Sequence, residues 1–249
     1  MSTSASPRVN YDAIAQLYDA QPYREKTVDV ELTAFLASRS PNAALTVLDL
    51  GCGTGNQLVA NQMRHPGVHY LGVDRFLGML RQAQPKSWTI GWVQADSASP
   101  PFRSASADFI TSQYMFHHVS AKAAMLVEVF RVLRPGGRFV LTNLCPQAAP
   151  DGLLYQYFPA AWDADQVDFW SPEQMDMALR QIGFQSVSLD LQHLRFSCTL
   201  GEFLATVQRR DTCSQLLTIA DAAYANGLQR LDIAARRCPR RRFRRICVS

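Results

Sequence analysis

Several absences narrow this sequence before any motif is read. No apolar run approaches the roughly 20 residues that a membrane-spanning helix needs, which excludes a helical channel or transporter. The opening residues, MSTSASPRVN, are polar and lack the apolar segment of a secretory signal, so a cytoplasmic protein is expected. The six cysteines (Cys52, Cys145, Cys198, Cys213, Cys238 and Cys247) are scattered, with no C-x-x-C pair among them. That spacing supports neither a zinc site nor a disulfide framework, so no metal is expected and the thiols read as reduced. There is no internal repeat and no low-complexity linker, which excludes a solenoid and a pair of tethered domains.

What is present suits one α/β domain with elaborated edges: 249 residues, 47% apolar and 18% charged. The formal charge of +4 is unevenly placed, because seven arginines lie between Arg236 and Arg245 with no acid among them. The rest of the chain is therefore mildly acidic. A basic tail of this kind reads as a solvated terminus, and nucleic acid is not expected as a partner.

Along the chain, residues 10–38 read as helical, divided at Pro22. Strands are expected at Leu45–Leu50, His69–Val73, Thr89–Val93, Asp108–Ser112 and Arg138–Thr142, with helices at about 56–64, 76–84 and 120–133. Alternation of this kind implies right-handed crossovers and a mostly parallel sheet. Arg134-Pro135-Gly136-Gly137 reads as the stop of the long helix, and residues 146–170 read as an aromatic-rich loop. Ser171-Pro172 marks a helix start and Gly183 its end, followed by a strand at Phe184–Leu191. Residues 200–235 read as mainly helical, and the last strand is either His193–Cys198 or Arg244–Val248.

The sharpest motif is Val47-Leu48-Asp49-Leu50-Gly51-Cys52-Gly53-Thr54-Gly55. A strand enters a glycine turn that lets the backbone come close to a ligand. The spacing is G-x-G-x-G, not the G-x-G-x-x-G of dinucleotide-binding proteins. Asp49 would repel a pyrophosphate and attract the ammonium of a methionine moiety. Asp74 closes the next strand, where a carboxylate accepts hydrogen bonds from ribose hydroxyls. Asp96 closes the third, placed to accept from an adenine amino group. Any one of these acids alone would read as a solvated loop residue, but three at successive strand ends beside the glycine turn are not coincidence.

These pieces resemble the class I S-adenosylmethionine-dependent methyltransferases, in particular the branch of the ubiquinone and menaquinone biosynthesis enzymes. The resemblance rests on Tyr11-Asp12-x-Ile14-Ala15-x-x-Tyr18-Asp19, VLDLGCGTG at 47–55, GVD at 72–74, AD at 95–96, ADFITSQYMFHHV at 107–119, VFRVLRPGGRFVLTN at 129–143 and SPEQMDMALRQIGF at 171–184. It covers about residues 10–190 and is specific for fold and cofactor, not for substrate. It implies a doubly wound, mostly parallel seven-stranded sheet with helical additions at the N-terminus and in the C-terminal part. Residues 1–40 would form a helical lid, 41–145 the cofactor-binding core, and 146–249 the rest of the sheet with cap helices and the basic tail, all in one structural domain.

The resemblance also implies a cofactor site. Gly51, Cys52, Gly53 and Gly55 would line it, with Asp49 at the methionine end, Asp74 on the ribose, and Asp96, Ser97 and Arg75 about the adenine. Gln113 and Tyr114 would lie beside the methionine part, and Tyr18 would help close the pocket. Methyl transfer needs alignment and desolvation more than acid–base help. Where the acceptor must lose a proton, His117 and His118 are the candidate bases. The more ordinary reading of the pair is that one packs and the other caps a helix start. The expected acceptor is a small molecule, aromatic or apolar if residues 155–170 cover it. Two alternatives stand beside this: an RNA or protein methyltransferase that uses the arginine tail, and a non-catalytic S-adenosylmethionine-binding protein.

Overall fold

In the computed structural model of the chain, the described residues are 9–20, 24–40, 43–239 and 242–248, with side chains left out at 193–196, 212 and 242–248. The segment at Pro22, expected to divide the first helical region, lies outside them. Residues Asn10–Asn143 with Ala178–Val187 form one compact unit, and Leu144–Met177 with the chain from Ser188 onward forms another.

The first unit is built on β1 (Thr46–Leu50), β2 (His69–Asp74), β3 (Gly91–Gln94), β4 (Ala107–Gln113) and β5 (Leu133–Thr142), all parallel, in the order β3-β2-β1-β4-β5. The order reverses between β1 and β4, and in such sheets ligands bind in the crevice beyond the strand ends at that reversal. The helices α3 (Asn56–Arg64), α4 (Leu77–Ala83) and α5 (Lys122–Val132) fall where the apolar periodicity put them. Leu32, Phe35, Val47, Leu58, Tyr70, Leu80 and Phe109 are almost fully excluded from water and form one contiguous cluster. Arg134–Gly137, expected as a turn, is a bulge inside β5, since the register with β4 jumps from Leu133 opposite Ala107 to Arg138 opposite Phe109.

Ahead of the sheet, residues 10–38 are less helical than their pattern suggested. They hold a 3-10 turn at Tyr11–Ala13, a single turn α1 (Ala15–Tyr18) and α2 (Val30–Ala37). Asp29 caps α2 by accepting from the amides of Glu31 and Leu32. Polar side chains on α3 stitch the irregular stretch before α2 to the core. Gln57 donates to the carbonyl of Thr27 at 2.9 Å, and Asn61 accepts from the amide of Asp29 at 2.8 Å.

The second unit is helical: α6 (Leu153–Tyr157), α7 (Pro159–Asp168), the start of α8 (Pro172–Ile182), α9 (Leu200–Val207), α10 (Ser214–Leu217) and α11 (Asp221–Arg237), with a two-stranded antiparallel pair, β6 (His193–Thr199) and β7 (Arg242–Val248). The loop expected at 146–170 is thus largely two helices. Pro159 begins a new helix straight after Phe158, as a proline at the first helical position does. The aromatic residues here pack the unit itself: Tyr155 meets Trp162 edge-on at 5.0 Å, and Phe158 stacks on Tyr224 at 5.9 Å.

Three expectations about the sheet need correction. Among the described residues it has five strands, not seven. Phe184–Leu191 forms no strand: Phe184 is drawn onto Phe130 and Phe139, and the alternating residues that follow leave Leu189 and Leu191 exposed, so no face is buried. Both candidates for the last strand are strands, yet they pair with each other and not with the parallel sheet. The arginine tail is divided accordingly, with Arg236 and Arg237 ending α11 and Arg242, Arg244 and Arg245 on β7; Arg240 and Arg241 lie outside the described residues.

Candidate active site

At the carboxyl ends of β1, β2 and β4 the first unit opens into a cleft with about 730 Å³ of unfilled space, counting its mouth. Ten of the expected site residues line it: Tyr18, Gly51, Gly53, Asp74, Arg75, Asp96, Ser97, Gln113, Tyr114 and His118. The amides of Gly51 and Cys52 donate to the carbonyl of Val73, which closes the turn against β2. Gly51, Gly53 and Gly55 all have positive φ, a region costly for any residue with a side chain. Their surroundings differ. A Cβ on Gly51 would strike Met115, and one on Gly55 would strike the indole of Trp92 at 2.4 Å. A Cβ on Gly53 would meet no atom within 4 Å. Gly53 therefore keeps open space at the cleft wall, whereas Gly55 permits packing.

Asp74 spans the turn. One carboxylate oxygen accepts from the amide of Gly53 at 2.8 Å and the other from the amide of Phe76 at 2.9 Å. A carboxylate has about four acceptor positions, so two amides leave capacity for a pair of ligand hydroxyls. Burial pushes its pKa up, and the two amide bonds pull it back. Asp96 is exposed and accepts from the amide of Ala98. Arg75, Phe76, Met79 and Ser97 surround that end of the cleft.

Four expected residues do not line the cleft: Asp49, Cys52, Gly55 and His117. The Cys52 side chain turns into the core cluster beside Leu80 and Tyr70, and burial raises its thiol well above the ordinary range. Asp49 lies behind the turn, 3% exposed, with one carboxylate oxygen lacking any hydrogen-bond partner. Burial raises its pKa to about 7, against a lowering by the charge of Lys26. An unsatisfied buried carboxylate oxygen is costly and calls for a donor. Thr111, opposite Asp49 in the β1–β4 register, likewise leaves its buried hydroxyl unpaired.

The other end of the cleft is aromatic. Tyr11 and His118 share a hydrogen bond at 2.8 Å between the phenol oxygen and Nε2, and the Tyr11 ring also meets Tyr18 and Phe76. His117 stands behind, its ring 3.9 Å from that of His118, with Nδ1 bonded to Asn143 Oδ1 at 2.8 Å. Burial lowers both imidazoles, His117 well below its usual value and His118 to about 4, so both are neutral near pH 7. Tyr114 follows β4 with φ of 53°, a strained placement for a tyrosine, and donates its amide to the Thr142 carbonyl. Tyr11, Phe76, Met79, Met115 and Val119–Ala121 also line the cleft and were not picked out from the sequence. Tyr11 opens the Tyr-Asp motif already noted, so a signal for it existed.

A doubly wound sheet with a glycine turn, acids at successive strand ends and a cleft at the strand-order reversal defines a nucleoside-binding α/β domain. The comparisons narrow this. Residues 48–141 match the methyltransferase domain family. Trans-aconitate 2-methyltransferase of Azoarcus sp. is 34% identical over 131 residues, covering 52% of this chain and 51% of that protein. Demethylmenaquinone methyltransferase of Thermus thermophilus is 29% identical over 141 residues, 55% of this chain and 60% of that one. A solved structure described as a methyltransferase of an antibiotic biosynthesis pathway from Anabaena variabilis superposes with a TM-score of 0.63 at 20% identity, over 84% of this chain and 86% of that one. Residues 48–141 are thus similar to a methyltransferase domain, the sheet is that of solved methyltransferase structures, and S-adenosylmethionine is the cofactor that such a domain uses. It spans about half the length of the curated relatives it matches. The residues present fit that cofactor: Gly53 leaves room, Asp74 has acceptor capacity for the ribose, and the unpaired oxygen of Asp49 suits an ammonium. Among the described residues no helix is long and apolar enough to cross a membrane, and no group of three or more metal-ligating side chains occurs.

Proposed function

We propose that the protein methylates a small-molecule acceptor held at the Tyr11–His118 end of the cleft. The observation that carries this reading is the continuity of one cleft, from Gly53 and Asp74 to His118 and Tyr11. When bound, S-adenosylmethionine supplies an already activated methyl group. The chain's own residues then hold the reactants in line and exclude water. Asp74 binds the ribose, Asp96 and Ser97 flank the adenine, and Asp49 faces the ammonium. The rings of Tyr11, Tyr18 and Tyr114 form an apolar wall suited to a flat or apolar acceptor. The two relatives described above, named for trans-aconitate and demethylmenaquinone, are consistent with a small acceptor.

His118 meets the acceptor directly, and its neutral ring accepts a hydrogen bond or a proton there. With its pKa near 4, it is a weak base, so acceptors that arrive ionised or lose a proton easily suit it best. His117 is a positioning residue, acting through its contact with His118 and its bond to Asn143. The test is a panel of metabolites assayed for transfer of labelled methyl from S-adenosylmethionine, in the parent and in His118→Ala. Turnover on one metabolite class, with kcat reduced in the variant while S-adenosylhomocysteine still binds, is the expected result. Full turnover by His118→Ala would remove the histidine from the chemistry. Absence of S-adenosylhomocysteine binding by the parent would remove the reading altogether.

A further inference from the structure

The helix α4 borders the cleft on one side, where Met79 and the N-cap residue Phe76 line it. A different face of the same helix lines a second recess, with about 700 Å³ of unfilled space counting its mouth. Leu77, Leu80, Arg81 and, just past the helix, Gln84 follow the three- and four-residue spacing of one helical face. The other wall is formed by Ile90, Trp92 and Gln94, alternate residues at and along β3. The floor is the border of the core: Leu80 and Ile90 are almost fully buried, and Trp92 packs against their cluster. At the mouth, Trp88 is 80% exposed. An apolar floor, a few polar groups and a volume within the roughly 300–1,000 Å³ of small-molecule sites fit a compact ligand better than a flat protein surface.

Charge and ring chemistry define that ligand. Arg81 is the one charged residue in the lining, with no acid beside it there. Among the described residues Arg81 has no hydrogen bond or ion pair. Its planar guanidinium forks onto a carboxylate. The two indoles at the same recess offer flat apolar surface on which an aromatic ring packs. The recess also reaches the glycine turn. Trp92 donates its indole N–H to the Ser87 carbonyl at 3.1 Å, and the far edge of its ring lies against Gly55 and Gly72. A ligand that fills the recess therefore restrains α4 and Trp92, the two elements that back the cleft.

We propose that this recess is an effector site for a flat aromatic carboxylate, held by Arg81 and the two indoles, and that its occupancy tightens cofactor binding through α4 and Trp92. The site goes beyond the methyltransferase reading; only the coupling rests on it. The probe is 2-naphthoate, with 2-naphthamide as its uncharged counterpart, titrated by calorimetry into the protein with and without S-adenosylhomocysteine. The parent is expected to bind 2-naphthoate, and to bind 2-naphthamide roughly fivefold more weakly, the upper range for an exposed ion pair of good geometry. Arg81→Gln should erase that preference. Trp88→Ala should weaken both probes roughly fivefold, within the range for an aromatic contact. His118→Ala, at the acceptor end of the cleft, should leave both unchanged. With 2-naphthoate at saturation, the parent's affinity for S-adenosylhomocysteine should rise about fivefold, a usual size for coupling between two sites.

Loss of 2-naphthoate binding in His118→Ala but not in Arg81→Gln would overturn the proposal, because the acid would then sit at the acceptor end. A parent that does not bind 2-naphthoate at millimolar concentration overturns it as well. If that parent also sediments as a dimer that Trp88→Ala dissolves, the recess belongs to a second copy of the chain. S-adenosylhomocysteine affinity that 2-naphthoate leaves unchanged or lowers would overturn the effector role. A parent that binds 2-naphthoate through Arg81 but binds no S-adenosylhomocysteine keeps the site and fails the methyltransferase reading, a different result from any of these.

Discussion

Two buried aspartates, one in each unit, sit in similar surroundings and end differently. In the sheet unit Asp49 is 3% exposed and leaves one oxygen unpaired. In the helical unit Asp165 is also 3% exposed, but it accepts from the Tyr155 hydroxyl at 2.7 Å and from the Gln215 amide. Burial raises both, Asp49 to about 7 and Asp165 to about 6. The difference lies in what the protein supplies. Around Asp165 the chain provides two donors to one carboxylate oxygen, so that acid specifies how α6, α7 and α10 meet. Around Asp49, with the hydroxyl of Thr111 opposite it also unpaired, the described residues leave that oxygen without a donor. An unsatisfied buried carboxylate oxygen calls for a donor, which suits the proposed role of Asp49 toward a ligand ammonium, whereas a satisfied one fixes how its helices pack.

The largest expected effect tests the open side of this contrast. Gly53→Val puts a branched side chain where no protein atom lies within 4 Å, in the space that the ligand would take. The variant should fold with a modest strain penalty, about 1–2 kcal/mol for a left-handed residue, and lose S-adenosylhomocysteine binding at least as completely as any other variant described here. Calorimetry beside a thermal melt separates the two effects.

Asp74→Ala comes next. It should weaken S-adenosylhomocysteine by about 1.5–3 kcal/mol, the range for hydrogen bonds to a charged group. If both this variant and Gly53→Val bind like the parent, the cofactor does not use this turn.

On the satisfied side, Asp165→Ala should lower stability by about 1–3 kcal/mol, because Tyr155 and Gln215 lose their shared acceptor. S-adenosylhomocysteine affinity should not change. A loss of affinity without a loss of stability would make Asp165 a ligand-binding residue and end the contrast.

The smallest effect is in pH dependence. Both carboxyls hold a proton more tightly in the folded chain than the ordinary aspartate value of roughly 3.9. Each therefore contributes stability that is complete below about pH 4 and is lost as pH rises, through about 6 for Asp165 and about 7 for Asp49. Asp49→Asn cannot ionise. Its melting temperature should exceed the parent's at pH 8, and the gap should close toward pH 4. A gap that widens on acidification would reverse the assigned sign.

The strands β1, β2 and β4 were legible because each is a short apolar run that ends in a turn or a polar residue, a local signal that tertiary packing reinforces. The glycine turn and Asp74 were legible for the same reason: their backbone demands are written into residue type. The division of labour among the glycines was not, since the ring that occupies Gly55's side, Trp92, comes from a distant strand. Cys52 was placed with the ligand-facing turn, but alternation along the chain turned its side chain inward. Lys26 has no local pattern at all; only the fold carries it to Gln113. At residues 146–170 and 184–191 the pattern misled, because aromatic density fits a loop or a helix equally and Phe184 was claimed by Phe130 and not by a neighbouring strand.

The Trp92 indole has a consequence for how this sequence can change. It lies 2.4 Å from where a Cβ on Gly55 would be and 2.7 Å from one on Gly72. One ring thus holds two positions on neighbouring elements at glycine. At Gly72, where φ is unexceptional, the constraints are this ring and the Cys52 sulfur, 2.9 Å from the same Cβ position. Gly72→Ala should then be harmful beside tryptophan and less so once residue 92 is small and the Cys52 thiol has room to turn aside. Substitutions there have an order: the ring must shrink before the glycine can grow, and a lineage that keeps the tryptophan has one fewer route by which the glycine turn can drift.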